Sequence, residues 1–238
     1  KSYLYAVNET KIFNDKSDTG GIVVYDIKNR ETIASVPSLG TDPCHLSVDS
    51  TGRHLLFANY NDNANRPQFC TFGLYSLGTS GKIASQPTHL LCGEGTGPNT
   101  TRQDQSHPHQ FIIDPQNKFA FLVDLGSDKI HQYLFNAESK DEVIKPNPVA
   151  EFVYEKAGSG PRHLAFHPNL QYAYLARELD NYLTVYSYDA QQGTLSAIQT
   201  ISLLPDNANS EKCSAAEVQV SPDGRFLYAS NRGEADGV

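Results

Sequence analysis

Residues 158–180 read GSGPRHLAFHPNLQYAYLARELD, and this stretch holds one complete structural unit. His163 to Phe166 is a short apolar run, and His-Pro-Asn-Leu-Gln breaks it. Tyr172 to Ala176 is aromatic and β-prone, and a charged pair, Arg177-Glu178, closes it. The pattern predicts two β-strands joined by a turn.

The unit recurs without a gap. PCHLSVDSTGRHLLFANY starts at Pro43, PHQFIIDPQNKFAFLVDL at Pro108 and AAEVQVSPDGRFLYASNR at Ala215, each eighteen residues long. The second strand appears once more at the start, as SYLYAVNE from Ser2 to Glu9. Aligning the copies puts Asn8, Asn59, Asp124, Arg177 and Asn231 in one column, and Glu9, Tyr60, Leu125, Glu178 and Arg232 in the next. The steps between copies are 51, 65, 53 and 54 residues. Apolar or aromatic runs at Gly21 to Ile27, Gln68 to Leu74, Ile130 to Phe135 and Leu183 to Tyr188 fill the intervals. Each is followed by a polar turn and a shorter run, so the count is four strands per repeat. Self-similarity at this period, with several strands in each repeat and no sustained 3.6-residue pattern, predicts an all-β β-propeller of four-stranded antiparallel blades. Asn59, Asp124, Arg177 and Asn231 are then expected at equivalent places on successive inner strands.

The whole chain, 1–238, reads as one propeller domain, since nothing resembles a linker between domains. At about 54 residues per blade it covers four to five blades. An open arc of that kind would leave apolar faces bare at both ends, so the chain is expected to be part of a longer ring, with blades missing at both ends.

Composition narrows the partners. A net charge of −8 disfavours nucleic acid, whose affinity comes from Lys and Arg on phosphates. No run approaches the 18 apolar residues of a membrane span. An anionic ligand must therefore be held by a local cluster of arginines. Cys44, Cys70, Cys92 and Cys213 have neither CxxC spacing nor a companion His at zinc-finger distance. They are expected to be reduced, mostly buried thiols of a cytoplasmic protein, although a Cys70–Cys92 bridge is conceivable. The only HxH is His107-Pro-His109, with no HExxH or Asp-rich loop, so no metal and no cofactor is expected. Neither a phosphate-binding glycine loop nor a GxSxG elbow is present.

In a propeller, ligands bind where strand ends and loops meet at the mouth of the central channel. The position after the unit's Pro holds Cys44, His109 and Arg162, with Ala216 in the fourth copy. The next holds His45, Gln110, His163 and Glu217. These columns vary in charge on an otherwise repeating frame, as an asymmetric site shared among blades requires. The irregular stretch Gly93 to His107 feeds directly into His107-Pro-His109 and reads as a loop lining that site. The candidates are His109, Arg162, Glu178 and Arg232, from three successive blades. Two guanidiniums can clamp a carboxylate or phosphate, each charge-assisted bond contributing about 1.5–3 kcal/mol. A His beside a carboxylate can serve as acid or base near neutral pH. The alternative reading is structural: Arg177, Glu178 and Arg232 pair with one another, while His45 and His163 bond neighbouring backbone.

GxGPNxxRQ (95–103), HPHQ (107–110), VDLGSD (123–128), GSGPRHLAFHP (158–168) and SPDGRFLYASNRG (221–233) together resemble the seven-bladed propeller lactonases, a family of 6-phosphogluconolactonases and carboxy-cis,cis-muconate cyclases. The resemblance implies a metal-independent lactone-processing site, with His109, Glu178, Arg162 and Arg232 as its catalytic set. Arg102, His107, Arg177 and His163 are expected to contact a small anionic substrate. A hydrolase of 6-phosphogluconolactone is the favoured reading. A lactone-forming cycloisomerase and a catalytically silent binding platform are the alternatives.

Overall fold

Second strands of the repeat, such as Phe119–Asp124, consist almost wholly of apolar residues, and a computed structural model shows why. It describes residues 3–17, 19–62, 70–78 and 81–233, with the side chains of 16 and 17 left aside. The first two residues of the expected strand at 68–74 lie outside that description.

The strands group into blades. The first holds β1 (Tyr3–Asn8), a small hairpin of β2 (Ile12–Phe13) and β3 (Lys16–Ser17), then β4 (Gly21–Asp26) and β5 (Glu31–Pro37). The second holds β6 (Thr41–Val48), β7 (His54–Asn61), β8 (Phe72–Ser76) and β9 (His89–Leu91). The third holds β10 (Pro108–Ile113), β11 (Phe119–Asp124), β12 (Lys129–Phe135), β13 (Ile144–Pro146) and β14 (Phe152–Tyr154). The fourth holds β15 (Pro161–Phe166), β16 (Tyr172–Arg177), β17 (Tyr182–Asp189) and β18 (Thr194–Ser202), and the fifth begins with β19 (Cys213–Val220) and β20 (Leu227–Gly233). Among the described residues every strand pairing is antiparallel, and all but β1–β4 and β12–β14 join neighbours in sequence. In the third blade β13 and β14 share the place of one outer strand, both pairing β12. Pro146 and Pro148 interrupt that strand by removing ladder donors, which an outer edge tolerates. Helix is confined, among the described residues, to one 3₁₀ turn at Ser210–Lys212. No helix there is long and apolar enough to cross a membrane.

Both faces of the second, third and fourth blades pack against a neighbour. On β7, Leu55 and Phe57 join Ile22, Val24 and Val36 of the first blade, whereas Leu56 and Ala58 join Phe111, Ala120 and Leu122 of the third. On β11, Phe119, Phe121 and Val123 turn the other way, onto Leu175, Tyr186 and Tyr188 of the fourth. The two-residue alternation of a strand thus supplies both blade interfaces, and apolar residues occupy both phases. β20 is different: Phe226, Leu227 and Tyr228 are exposed.

The hairpin turn repeats as closely as the strands. Gly52, Asn117, Leu170 and Gly224 occupy one place in it, with φ of 71°, 61°, 62° and 72°. Each donates its N–H to the carbonyl three residues earlier. Leu170 is the member of the set that the left-handed region penalises.

The register confirms the column alignment and corrects its location. Asn59, Asp124, Arg177 and Asn231 stand opposite Pro43, Pro108, Pro161 and Ala215. They lie on the second strand of each blade, however, and not on the innermost. The innermost strands are β6, β10, β15 and β19, which bond one another across blades. Ser47 Oγ on β6 donates to Phe111 O on β10 (2.8 Å), Leu164 N on β15 to Gln110 Oε1 on β10 (2.6 Å), and Arg162 Nη1 on β15 to Ala216 O on β19 (2.9 Å).

The cysteines also require a correction. Cys70 and Cys92 form a disulfide, leaving Cys44 and Cys213 free. Their sequence spacing carries no signal. The β8–β9 register, which pairs Phe72 with Leu91, brings the residues just beyond that hairpin's open end together.

Candidate active site

Each innermost strand carries an irregularity at the same point. Register shifts fall between Pro43 and His45, Pro108 and Gln110, Pro161 and His163, and Ala215 and Val218. Cys44, His109 and Arg162 are therefore the extra, unpaired residues of equivalent β-bulges, a device that re-aims a side chain out of the regular pleat. All three line one cavity of about 320 Å³, together with Glu9, Tyr60, Arg102, Glu178 and Arg232. Glu9, Tyr60, Glu178 and Arg232 belong to the second repeat column, directly after the second strand. Two columns of the repeat supply every wall residue except Arg102.

Leu125, the remaining member of that column, is buried, and Arg102 enters instead from the loop of residues 93–107. That loop is tied down. Gln103 Nε2 donates to Leu125 O (2.8 Å), and Gly97 N donates to Gln103 O (2.9 Å). At its far end Asp124 accepts from Ser106 Oγ, Ser127 Oγ and the His107 and Gly126 amides. At its start Gly93 N donates to Thr71 Oγ1 beside the disulfide.

Glu178 is the hub. Its buried carboxylate accepts from Arg102 Nη2 at 2.6 Å through Oε1, and from Arg162 Nε at 2.9 Å through Oε2. Arg232 Nη2 also lies 3.0 Å from Oε2. Tyr60 Oη receives Arg102 Nε and Nη2 at 3.3 and 3.2 Å. Three guanidiniums thus face one buried carboxylate, and the site retains a positive surplus. The arginines differ in access: the side chain of Arg162 is 14% exposed, those of Arg102 and Arg232 are 40% and 51%. A second cavity of about 550 Å³ adjoins and shares Arg102, Glu178 and Arg232.

His109 stands on the wall with its ring edge toward His163, and its Nδ1 lies 3.2 Å from His163 Nε2. Burial and then the Arg162 charge hold its proton affinity well below that of an ordinary imidazole, so the ring is neutral near pH 7. Burial raises the Cys44 thiol, which is therefore not a thiolate nucleophile.

The remaining candidates divide. Arg102 reaches the cavity. His107 sits behind its wall, stacked on Tyr60 at 4.4 Å, with Nδ1 donating to Tyr60 O and Nε2 beside Asp104. His163 lies behind His109. Arg177 does not reach the cavity, because consecutive residues of an extended chain point to opposite sides. Its guanidinium is held by Asp180, Glu155 and Thr184, so it does not pair with Glu178 or Arg232. His45 accepts from Phe111 N at 3.4 Å, which matches its structural reading, whereas His163 bonds side chains. Tyr60 and Glu9 were not singled out from the sequence, although the column containing Glu178 and Arg232 holds both. Among the described residues no group of three or more His, Cys, Asp or Glu side chains is placed to hold a metal ion.

A family model described as Lactonase, 7-bladed beta-propeller, matches residues 1–238. A 6-phosphogluconolactonase of Bacillus subtilis is 33% identical over 232 residues, 95% of this chain and 62% of that protein. One from Pectobacterium carotovorum is 34% identical over 208 residues, 87% of this chain and 55% of that protein. The structure of a periplasmic gluconolactonase of Pseudomonas aeruginosa superposes with a TM-score of 0.85 at 28% identity, over 98% of this chain and 63% of that one. The chain therefore spans about three-fifths of the length of the proteins it matches.

Proposed function

The chain belongs to the seven-bladed β-propeller lactonase family, and we propose that it hydrolyses a phosphorylated sugar lactone, 6-phosphogluconolactone, to 6-phosphogluconate. The observation that carries this reading is the cavity in which three guanidiniums converge on Glu178 beside a neutral His109. The positive surplus suits an anionic substrate, and the adjoining cavity leaves room for a phosphorylated tail.

Roles follow from access and hydrogen-bond capacity. Arg102 and Arg232, half-exposed at the mouth, hold the anionic group. Arg162 is largely buried, its side chain 14% exposed, with Nε on Glu178 and Nη1 on Ala216 O. Its Nη2 has no hydrogen bond among the described residues and is assigned to the lactone carbonyl oxygen, where negative charge develops. His109 is preferred to Glu178 as the base, because both oxygens of Glu178 already accept from arginines while the His109 ring is neutral. Water loses a proton to His109 and bonds the lactone carbon. The tetrahedral oxyanion then collapses, the ring C–O bond breaks, and His109 returns the proton to the departing oxygen. Glu178 keeps the three guanidiniums in one fan.

The test is turnover of 6-phosphogluconolactone, generated in situ, by the full-length protein. Hydrolysis above the spontaneous rate is expected, with a kcat lower by about 10² to 10⁴ in His109→Asn. Absence of any acceleration overturns the assignment. Loss of carboxymuconate absorbance in a parallel assay would point to the cycloisomerase instead.

For the compartment we propose an oxidising one in place of the cytoplasm expected from the sequence. Disulfides such as Cys70–Cys92 persist outside reducing compartments, and a similar solved protein is described as periplasmic.

A further inference from the structure

Behind His109 a line of hydrogen bonds crosses three successive innermost strands. His109 on β10 meets His163 on β15 at 3.2 Å, Nδ1 to Nε2, and His163 Nδ1 meets Glu217 Oε2 on β19 at 2.7 Å. Both histidines are buried. Glu217 Oε1 is itself fixed by Val218 N at 3.1 Å and Gln219 Nε2 at 3.0 Å.

Proton bookkeeping along this line leaves one arrangement for neutral rings. An ionised carboxylate only accepts, so His163 carries its hydrogen on Nδ1 and presents a lone pair at Nε2. His109 must then donate from Nδ1, which leaves its Nε2 bare. Among the described residues His109 Nε2 has no hydrogen-bond partner, and the ring lines the cavity. Glu217 thus dictates, through His163, which nitrogen of His109 can accept a proton.

We propose that Glu217 and His163 are positioning residues of a two-histidine relay: as His109 Nε2 takes a proton from water, its Nδ1 proton passes to His163 Nε2, and Glu217 neutralises the resulting imidazolium. This rests on the hydrolytic reading above. The same protons move back when the ring oxygen departs, so the relay ends each turnover as it began. The charged and titratable groups facing the pair explain why the proton should not stay on His109. Arg162 adjoins His109, Tyr60 stands 5.8 Å from its ring, and Cys44 Sγ lies 3.6 Å from its carbonyl oxygen. His163 faces Glu217 and the ring of His45 at 5.6 Å. Burial and the neighbouring His163 hold His45 down at about 3, so it adds no competing charge. Burial would raise Glu217, but the hydrogen bond from His163 and those from Gln219 and Val218 outweigh it and bring it down to about 2.

The experiment combines side-chain nitrogen NMR of the full-length protein, labelled with ¹⁵N-histidine, with kinetics of Glu217→Gln and Glu217→Asp. At neutral pH His109, identified by its loss in His109→Asn, should carry hydrogen on Nδ1 with Nε2 bare. Glu217→Gln should lower kcat about 10- to 100-fold with KM within twofold, and move the acid limb of kcat/KM down by about one pH unit. Glu217→Asp should recover part of both. A wild-type His109 protonated at Nε2, or a Glu217→Gln enzyme with unchanged kcat and acid limb, overturns the relay. The tautomer is read without substrate, so a protein that fails to turn over lactone would overturn the hydrolytic reading while the nitrogen spectrum still decides the hydrogen-bond line.

Discussion

Arg162 on β15 and Glu178, directly after the adjoining β16, belong to one blade, with Arg162 Nε 2.9 Å from Glu178 Oε2, and they meet only because Arg162 is the bulged residue of its strand. In a regular ladder the side chain after Pro161 would stand in the pleat. The bulge turns it instead toward the carboxylate at the end of β16.

From this contact a division of labour among the arginines is expected. Arg162→Lys replaces a fork serving Glu178, Ala216 O and the substrate carbonyl with a single ammonium. It should lower kcat by about 10². Arg232→Lys, at the half-exposed mouth, should instead raise KM, by about 10-fold for a loss of about 1.4 kcal/mol. Steady-state kinetics on both variants checks the split, and the reverse pattern would exchange the two roles.

The stability contributed by Glu217 should depend on acidity in a defined window. Its folded-state pKa is depressed to about 2 from the model-peptide value of 4.5. A depressed carboxylate stabilises the fold above its unfolded pKa and loses that contribution as pH falls. Urea melts should therefore show wild type more stable than Glu217→Gln above pH 4.5, with the difference shrinking toward pH 2. A difference constant across that window contradicts the assignment.

Thiol titration of the unfolded, unreduced protein should find two free cysteines, Cys44 and Cys213, of the four in the chain. Replacing Cys70 and Cys92 by Ser opens a loop closed over a sequence separation of 22, which the chain-entropy model values at about 3 kcal/mol. Because Gly93 follows the bridge directly and the loop delivers Arg102, KM should rise as well. Four titratable thiols would remove the basis for both expectations.

Leu170 occupies the left-handed turn position that Gly or Asn fills in the other copies. Leu170→Gly relieves a cost of about 1–2 kcal/mol and returns part of it through the freer unfolded chain. A gain of about 0.5 kcal/mol in melting experiments is expected, and a loss would mean that the packing of Leu170 outweighs its backbone.

The repeat was legible because a propeller stacks near-identical units on a fixed register: Pro43, Pro108, Pro161 and Ala215 mark the same pairing, and the turn after them repeats residue by residue. The column containing Glu178 and Arg232 was readable for the same reason, and so were Tyr60 and Glu9 within it. Periodicity could not tell which strand faces the axis, because second strands are apolar in both phases and look like the centre of the fold while sitting one place out from it. Nor could it separate Arg177 from Glu178. Both are charged and adjacent, and only the bonds of Arg177 to Asp180 and Glu155 show which of them turns from the cavity. The Cys70–Cys92 bridge, the arrival of Arg102 and the line from Glu217 to His109 depend on strand register and on neighbouring blades. They join residues far apart in the chain, so they are decided by tertiary structure, where loops without a repeat and side chains of different blades first meet.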